Sequence, residues 1–332
     1  MENKYFKFYS SCIPVIGAKR GIIYDLRRGD LYYLPKTILE ILDEYSTFEL
    51  HKLFEDYKSQ INILKKYLNY LVNNELIFFT NNLENFPCLD KTFKKPFVLD
   101  ILLLEIDNFD LTKKKLVESQ EVNSLGFTEI VLISNTNSIE NLEKILFLLD
   151  KTKVQTLSYF IDFKYFNFDK INLLSEKFLR LREVIVFNCP KGNDLEKRGN
   201  INFLTLSIDD FLLLKITNVN DFVVNINAYT ESQKYNLFYN RRIYVDNKNN
   251  VKHGIKEIGN FGNLKISKIV EILSSDNFTN LWNISKDQIE VCKDCEFRYI
   301  CPDNRIPIKK DAELYYYHNN DCNYNPYTNQ WK

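Results

Sequence analysis

The sequence predicts an α/β protein in three parts. These are a winged-helix-like N-terminal module, a central parallel sheet or partial (β/α) barrel, and a cysteine-rich C-terminal domain. Three observations carry this expectation. The first eighty residues read as a hairpin followed by amphipathic helices. From about residue 97, short apolar runs alternate with amphipathic helical patterns, as parallel sheets require. Near the end, VCKDCEFRYICPDNRIP (residues 291–307) gathers three cysteines within ten residues, and a fourth, Cys322, follows a gap of twenty.

In the first part (1–80), RGIIYDLRRGDLYYLP places two apolar-aromatic runs around Arg28-Gly29-Asp30, a hairpin signal. KTILEILDEY, STFELHKLFEDY and QINILKKYLNYLVNN repeat apolar residues at three- and four-residue spacing, which predicts three helices. LIFF closes the module as a short strand. Residues 81–96 carry Pro87 and Pro96 and weak periodicity, the mark of a linker.

The second part (97–231) alternates. FVLDILLLEID, FTEIVLIS, VQTLSYFIDF and EVIVFNC predict strands, and DLTKKKLVESQEVNSLG, SIENLEKILFLLDKT and DKINLLSEKFLRLR predict the helices between them. INFLTLSI and FVVNINAY add two further strands. The third part (232–332) begins with RRIYVDNKNNVKHG, a hairpin turning at 247–250. GNFGN then leads into a helix, and the cysteine segment follows.

Composition excludes several classes. Of the 332 residues, 45% are hydrophobic, and 44 basic residues balance 44 acidic ones. A neutral chain has no bulk attraction for nucleic acid or for an acidic membrane surface. The most apolar stretch is interrupted by acids and is too short to span a bilayer, and no signal-peptide pattern opens the chain. These features predict a cytoplasmic protein. There thiols stay reduced, so clustered cysteines point to metal or redox chemistry rather than disulfides.

Cys292, Cys295, Cys301 and Cys322 therefore form a candidate four-thiolate site. A C-x-x-C turn puts two sulfurs on one side of a loop, the third reaches in from the next turn, and the fourth arrives by tertiary folding. Four thiolates suit zinc or one iron–sulfur cluster. Two single thiols at wide spacing, in place of a second paired knuckle, favour the [4Fe–4S] cluster, with zinc the alternative. Cys12, Cys88 and Cys189 are scattered, and Cys189 reads as core.

The segment CKDCEFRYICPDNRIP with the later DCNYNP resembles the SPASM domain of radical-SAM peptide-modifying enzymes. More narrowly it resembles the SPASM peptide maturases of grasp-with-SPASM systems. The resemblance implies a radical-SAM-like partial barrel over 97–231 and a SPASM-like domain over 232–332. It also implies that Cys292, Cys295, Cys301 and Cys322 hold the outer cluster. The family's next cysteine, which serves a second cluster, falls on Arg305, so one cluster is expected. His253 lies close to a family ligand position and is weighed as structural. Where the family carries C-x3-C-x2-C after its first barrel strand, this chain has LLLEIDNFDLTK, and after the second it has LISNTNS. No S-adenosylmethionine cleavage is expected, and no catalytic residue is assigned.

Residues 1–80 resemble the peptide-recognition elements that bind leader sequences of ribosomally made peptides. That resemblance implies a precursor strand added to an open sheet edge, either DLYYLP or RGIIYDL. Tyr32, Tyr33 and Leu34 would supply apolar contact, and Arg27 and Arg28 charge. Because strands alternate, half of these side chains must be core. Together the resemblances imply a maturation adaptor that binds a precursor peptide and partners an ATP-grasp ligase. The alternatives are an iron–sulfur redox enzyme acting on the precursor and a zinc-stabilised interaction module. Cys295→Ala is expected to lose the metal and to destabilise residues from about 240 to 332, leaving peptide binding by residues 1–80 largely intact.

Overall fold

The N-terminal apolar runs become two small sheets. The structure, a computed structural model, describes residues 4–190, 199–212, 216–255, 257, 259–310 and 315–332. Strands β2 (Cys12–Ile16), β3 (Arg20–Asp25) and β4 (Asp30–Pro35) form an antiparallel sheet in that order. The predicted hairpin is β3–β4. Its turn is shaped by Asp25, whose Oδ1 accepts the amides of Arg27 and Arg28 at 3.1 Å. Gly29 supplies the positive φ of +81° that closes it.

Helices α1 (Lys36–Glu44), α2 (Leu50–Asp56) and α3 (Ile61–Asn73) follow as the periodicity predicts. The closing strand β5 (Ile77–Thr80) pairs antiparallel with β1 (Tyr5–Phe8), not with the hairpin. Both faces of the three-stranded sheet are covered. Ile23 and Leu34 enter a core with Leu39, Leu64 and Leu68 of the helices. Ile22, Tyr24 and Val15 enter a second core with Phe297, Ile300 and Tyr324 from the cysteine segment. That double burial explains why Ile22, Ile23 and Tyr24 of β3 run as successive apolar residues rather than alternating.

The strand–helix alternation folds as a mostly parallel sheet. In chain order come β6 (Ile101–Glu105), α4 (Leu111–Val117), α5 (Ser119–Leu125), β7 (Glu129–Ser134) and α6 (Ile139–Leu149). Next are β8 (Thr156–Asp162), α7 (Phe168–Lys177), β9 (Leu181–Phe187), β10 (Ile201–Phe203) and α8 (Ile208–Leu212). The helix expected over 110–126 is split, because Glu118 is extended. The strand expected in FVVNINAY is instead α9 (Ile226–Ser232). Asn225 caps it by accepting the Ala228 amide at 2.9 Å, and this outweighs the β-branched run before it.

The late hairpin, β11 (Arg242–Val245) and β12 (Asn250–Lys252), joins the same sheet, and β13 (Gly262–Asn263) extends it. The order is β10-β9-β8-β7-β6-β11-β12-β13, with β11 parallel to β6. Two short helices, α10 (Ile269–Leu273) and α11 (Asp276–Thr279), follow.

The compact units cut across the boundaries expected from sequence. One comprises Met1–Phe93, Lys215–Leu237 and Asn283–Lys332; the other comprises Lys94–Leu214 and Phe238–Trp282. The late hairpin thus belongs to the parallel sheet, and the cysteine segment belongs to the N-terminal unit. Among the described residues, no helix is long and apolar enough to cross a membrane.

Candidate metal centre

The cysteine segment is built from single turns. Val291 takes φ +66°, and the Cys292 amide donates to the Glu290 carbonyl at 2.7 Å, a tight three-residue turn. A β-branched residue in that region is strained by roughly 1–3 kcal/mol. The Glu290 amide, donating to Tyr316 O, and the Lys293 amide, donating to Ile289 O, hold it in place. One further turn, with the Cys295 amide on Cys292 O at 3.0 Å, sets the C-x-x-C pair. Buried Phe297 and Ile300 anchor the stretch that leads to Cys301. Cys322 comes back on a strand pairing of Ile308 with Tyr317 and on Arg305, whose Nη1 donates to Asn320 O at 2.6 Å.

All four predicted cysteines line one cavity of about 230 Å³, and none is in a disulfide. Burial pushes the Cys292 and Cys295 thiols up and takes Cys301 to about 12. Without a metal they are held as neutral thiols, so loading would release protons.

Beside them lies a buried ionic group. Lys286 Nζ is 2.8 Å from Asp303 Oδ2, and Arg305 donates to both Asp303 oxygens at 2.9–3.1 Å. Burial opposes the Asp303 carboxylate, but Lys286 and Arg305 outweigh it and hold it well below the usual range. Arg305 is therefore committed to Asp303.

The site also contains His318, a residue to which the sequence assigns no role. Donor atoms of Cys292, Asp303 and His318 lie within 4.8 Å of one another. Both Asp303 oxygens are already taken by cations, so the carboxylate is a poor ligand there. The His318 Nε2 is buried without a hydrogen-bond partner. Burial and the Lys286 ammonium push its imidazole down to about 4. It is neutral near pH 7, and its 3.6 Å approach to Asp303 is not an ion pair. The only sequence signal was its position four residues before Cys322. Four thiols and one neutral imidazole fit a thiolate-held metal centre, and the set suits zinc and an iron–sulfur cluster alike. His253 lies in the other unit. Its Nε2 is 2.7 Å from Phe278 O and its ring stacks on Phe278, a structural role. Cys189 is buried in the core of the parallel sheet.

The proposed peptide residues separate by strand alternation. Leu34 is core, and Tyr32 packs partly against the same helices. Tyr33 is 41% exposed and meets Phe297 edge-on. Arg28 pairs with Asp25 and Glu75, while Arg27 is exposed beside it. RGIIYDL is not an edge: β3 lies between β2 and β4. Among the described residues no strand pairs with the outer side of β4, so DLYYLP, like the far side of β2, is an open edge of this sheet.

The parallel sheet has its own candidate position. Its strand order reverses at β6/β11, where ligands of open α/β sheets sit at the carboxyl ends. Here the carboxylate that follows β6 is taken up by the chain itself. Asp107 accepts the hydroxyls of Ser134, Thr136 and Ser138 at 2.8–3.0 Å and the amides of Asn135 and Thr136 at 3.1 Å. LISNTNS and LLLEIDNFDLTK are thus partners of one another.

The fold and the cavity define an α/β protein with a mostly parallel eight-stranded sheet and a thiol-lined pocket. No family profile and no curated protein matches the chain. Among solved structures, it is similar to selenomethionine BtrN in an open conformation: 13% identity, 60% of this chain, 94% of that one, TM-score 0.36. It is similar to Streptococcus suis SuiB bound to S-adenosylmethionine: 9% identity, 90% and 94% coverage, TM-score 0.31. It is also similar to SuiB bound to the precursor peptide SuiA: 8% identity, 90% and 94% coverage, TM-score 0.32. Likenesses this loose leave the chain's function to its own residues.

Proposed function

We propose that the chain is a maturation factor for a ribosomally made peptide. It binds the precursor's leader at the β4 edge and assists an ATP-grasp ligase in the cytoplasm. Cys292, Cys295, Cys301 and Cys322 hold one [4Fe–4S] cluster, whose role is to order a segment that lacks long elements of its own. S-adenosylmethionine is not cleaved, because the sequence lacks the three-cysteine motif after its first parallel strand. The single observation that supports the reading most is that four thiols converge on one cavity in the same compact unit as an open-edged sheet.

The test is iron, sulfide and zinc analysis of anaerobically prepared chain, with a precursor pull-down alongside. About four irons and four sulfides per chain are expected for one such cluster. One zinc without sulfide would replace the cluster by the zinc-stabilised module. A change in precursor mass without the ligase would replace the adaptor by the redox enzyme.

A further inference from the structure

The cysteine segment and the three-stranded sheet are continuous packing. Arg298 Nη1 donates to the carbonyl of Cys295 at 2.9 Å and to that of Ile16, the last residue of β2, at 3.0 Å. The Ala18 amide donates to Asp294 O at 2.7 Å. Glu296, the residue after Cys295, is fully buried. Its Oε1 accepts from Arg20 Nε at 2.6 Å, and its backbone carbonyl accepts the Tyr24 hydroxyl. Gly17 is required for this approach, since a Cβ there would stand 2.9 Å from the Glu296 backbone nitrogen. The guanidinium of Arg20 lies 4.2 Å over the ring of Tyr33, and Tyr33 meets Phe297 with ring centroids 6.3 Å apart. The path Cys295, Glu296, Arg20, Tyr33 therefore runs from a thiol to the open-edged strand β4.

Each step has a physical reason to respond to the metal. The described segment from Asn283 onward contains only single turns and two-residue strands, so ligation would add order to turns that no long element holds. A buried carboxylate cannot stay in place without its cation. When the turn that carries Cys295 loosens, Glu296 leaves Arg20, and Arg20 loses the contact that fixes it over Tyr33. Oε1 of Glu296 also accepts the Tyr324 hydroxyl, Oε2 has no hydrogen-bond partner, and Arg20 is the cation that balances the buried charge.

We propose that occupancy of the four-thiol site sets the order, and hence the peptide affinity, of the β4 edge through Glu296 and Arg20. This rests on reading the cysteines as metal ligands. The coupling is reciprocal: a peptide on the edge raises metal affinity by the same factor.

Hydrogen exchange on the full chain tests it. The chain is loaded with iron and sulfide, or with zinc alone, and compared after chelator treatment. Stripping is expected to speed exchange over both 292–301 and 30–35 by about tenfold or more, as local opening does. Arg20→Met is expected to keep its metal while exchange over 30–35 becomes indifferent to chelator. Glu296→Gln gives the same readout if the first variant does not fold, and wild-type coupling in a folded variant overturns the role of the pair. Metal that binds and leaves with 292–301 responding and 30–35 unchanged overturns the coupling alone. A chain that takes up no metal at all overturns both readings at once.

Discussion

The carboxyl end of the parallel sheet and the cysteine cavity are both polar, and both occupy places where chemistry could be housed. They differ in what their polar atoms are bonded to. At the sheet, Asp107 is saturated by the hydroxyls and amides of Ser134–Ser138, and Asn247 adds a further bond at 3.2 Å. That carboxylate has its bonding capacity spent within the chain. In the cavity, four thiols are unbridged and the His318 Nε2 has no partner. The ionic group beside them is satisfied internally, which leaves sulfur and imidazole as the available donors. Polarity alone does not mark a site; unspent bonding capacity does.

The largest break in this comparison is Cys301→Ser. It should abolish stoichiometric metal, remove folding free energy of order 10 kcal/mol from the N-terminal unit, and leave the parallel sheet standing. Metal analysis with a two-step thermal melt checks it, and a single melt unchanged from wild type would refute the ligand assignment. Because Val15, Ile22 and Tyr24 share a core with Phe297 and Ile300, the loss is expected to reach the sheet within residues 1–80 as well.

Second in size is Asp303→Leu. Lys286 and Arg305 would be left as buried, unpaired cations, a cost of about 3–5 kcal/mol. Pairing it with Lys286→Met should recover part of that loss, which denaturant melts would read.

Third is Asp107→Ala in the parallel sheet, with an expected loss of about 2–3 kcal/mol from charge-assisted hydrogen bonds. Burial pushes this carboxyl up, but bonds from Thr136, Asn135, Ser134 and Ser138 prevail and lower it. Its stabilisation is therefore complete above the unfolded value near about 3.9 and fades as pH falls through the lower folded value. Wild type should lose this increment only in acid, and the variant should show no such step.

Much of this was legible in the sequence. Continuous apolar runs located β6 to β9, which are buried on both faces, and period-3.6 patterns located the helices between them. The cysteine spacing located the cavity. What escaped depends on tertiary placement. FVVNINAY is strand-like in composition and helical because of one cap at Asn225. Tyr33 and Leu34 are neighbours in sequence, yet one enters the helical core and the other stays half-exposed against Phe297. His318 carries no local pattern, and only the return of the chain to Cys322 brings it to Cys292. No periodicity encodes that residues 283–332 rejoin the first eighty, since such contacts are set by packing at long range.

The smallest expected effect sharpens the comparison most directly, because it keeps the residue type constant. Cys189 is buried in the core of the parallel sheet, its Sγ 3.3 Å from Val186 O, with burial pushing the thiol up. Cys189→Ala removes one buried sulfur and leaves a small void, worth about 1 kcal/mol. Metal content should stay at the wild-type value. If cysteines bound metal here by composition alone, Cys189→Ala would lower stoichiometry as Cys301→Ser does. Unequal outcomes for the two thiols would show that convergence on one cavity, and not the thiol itself, makes the centre.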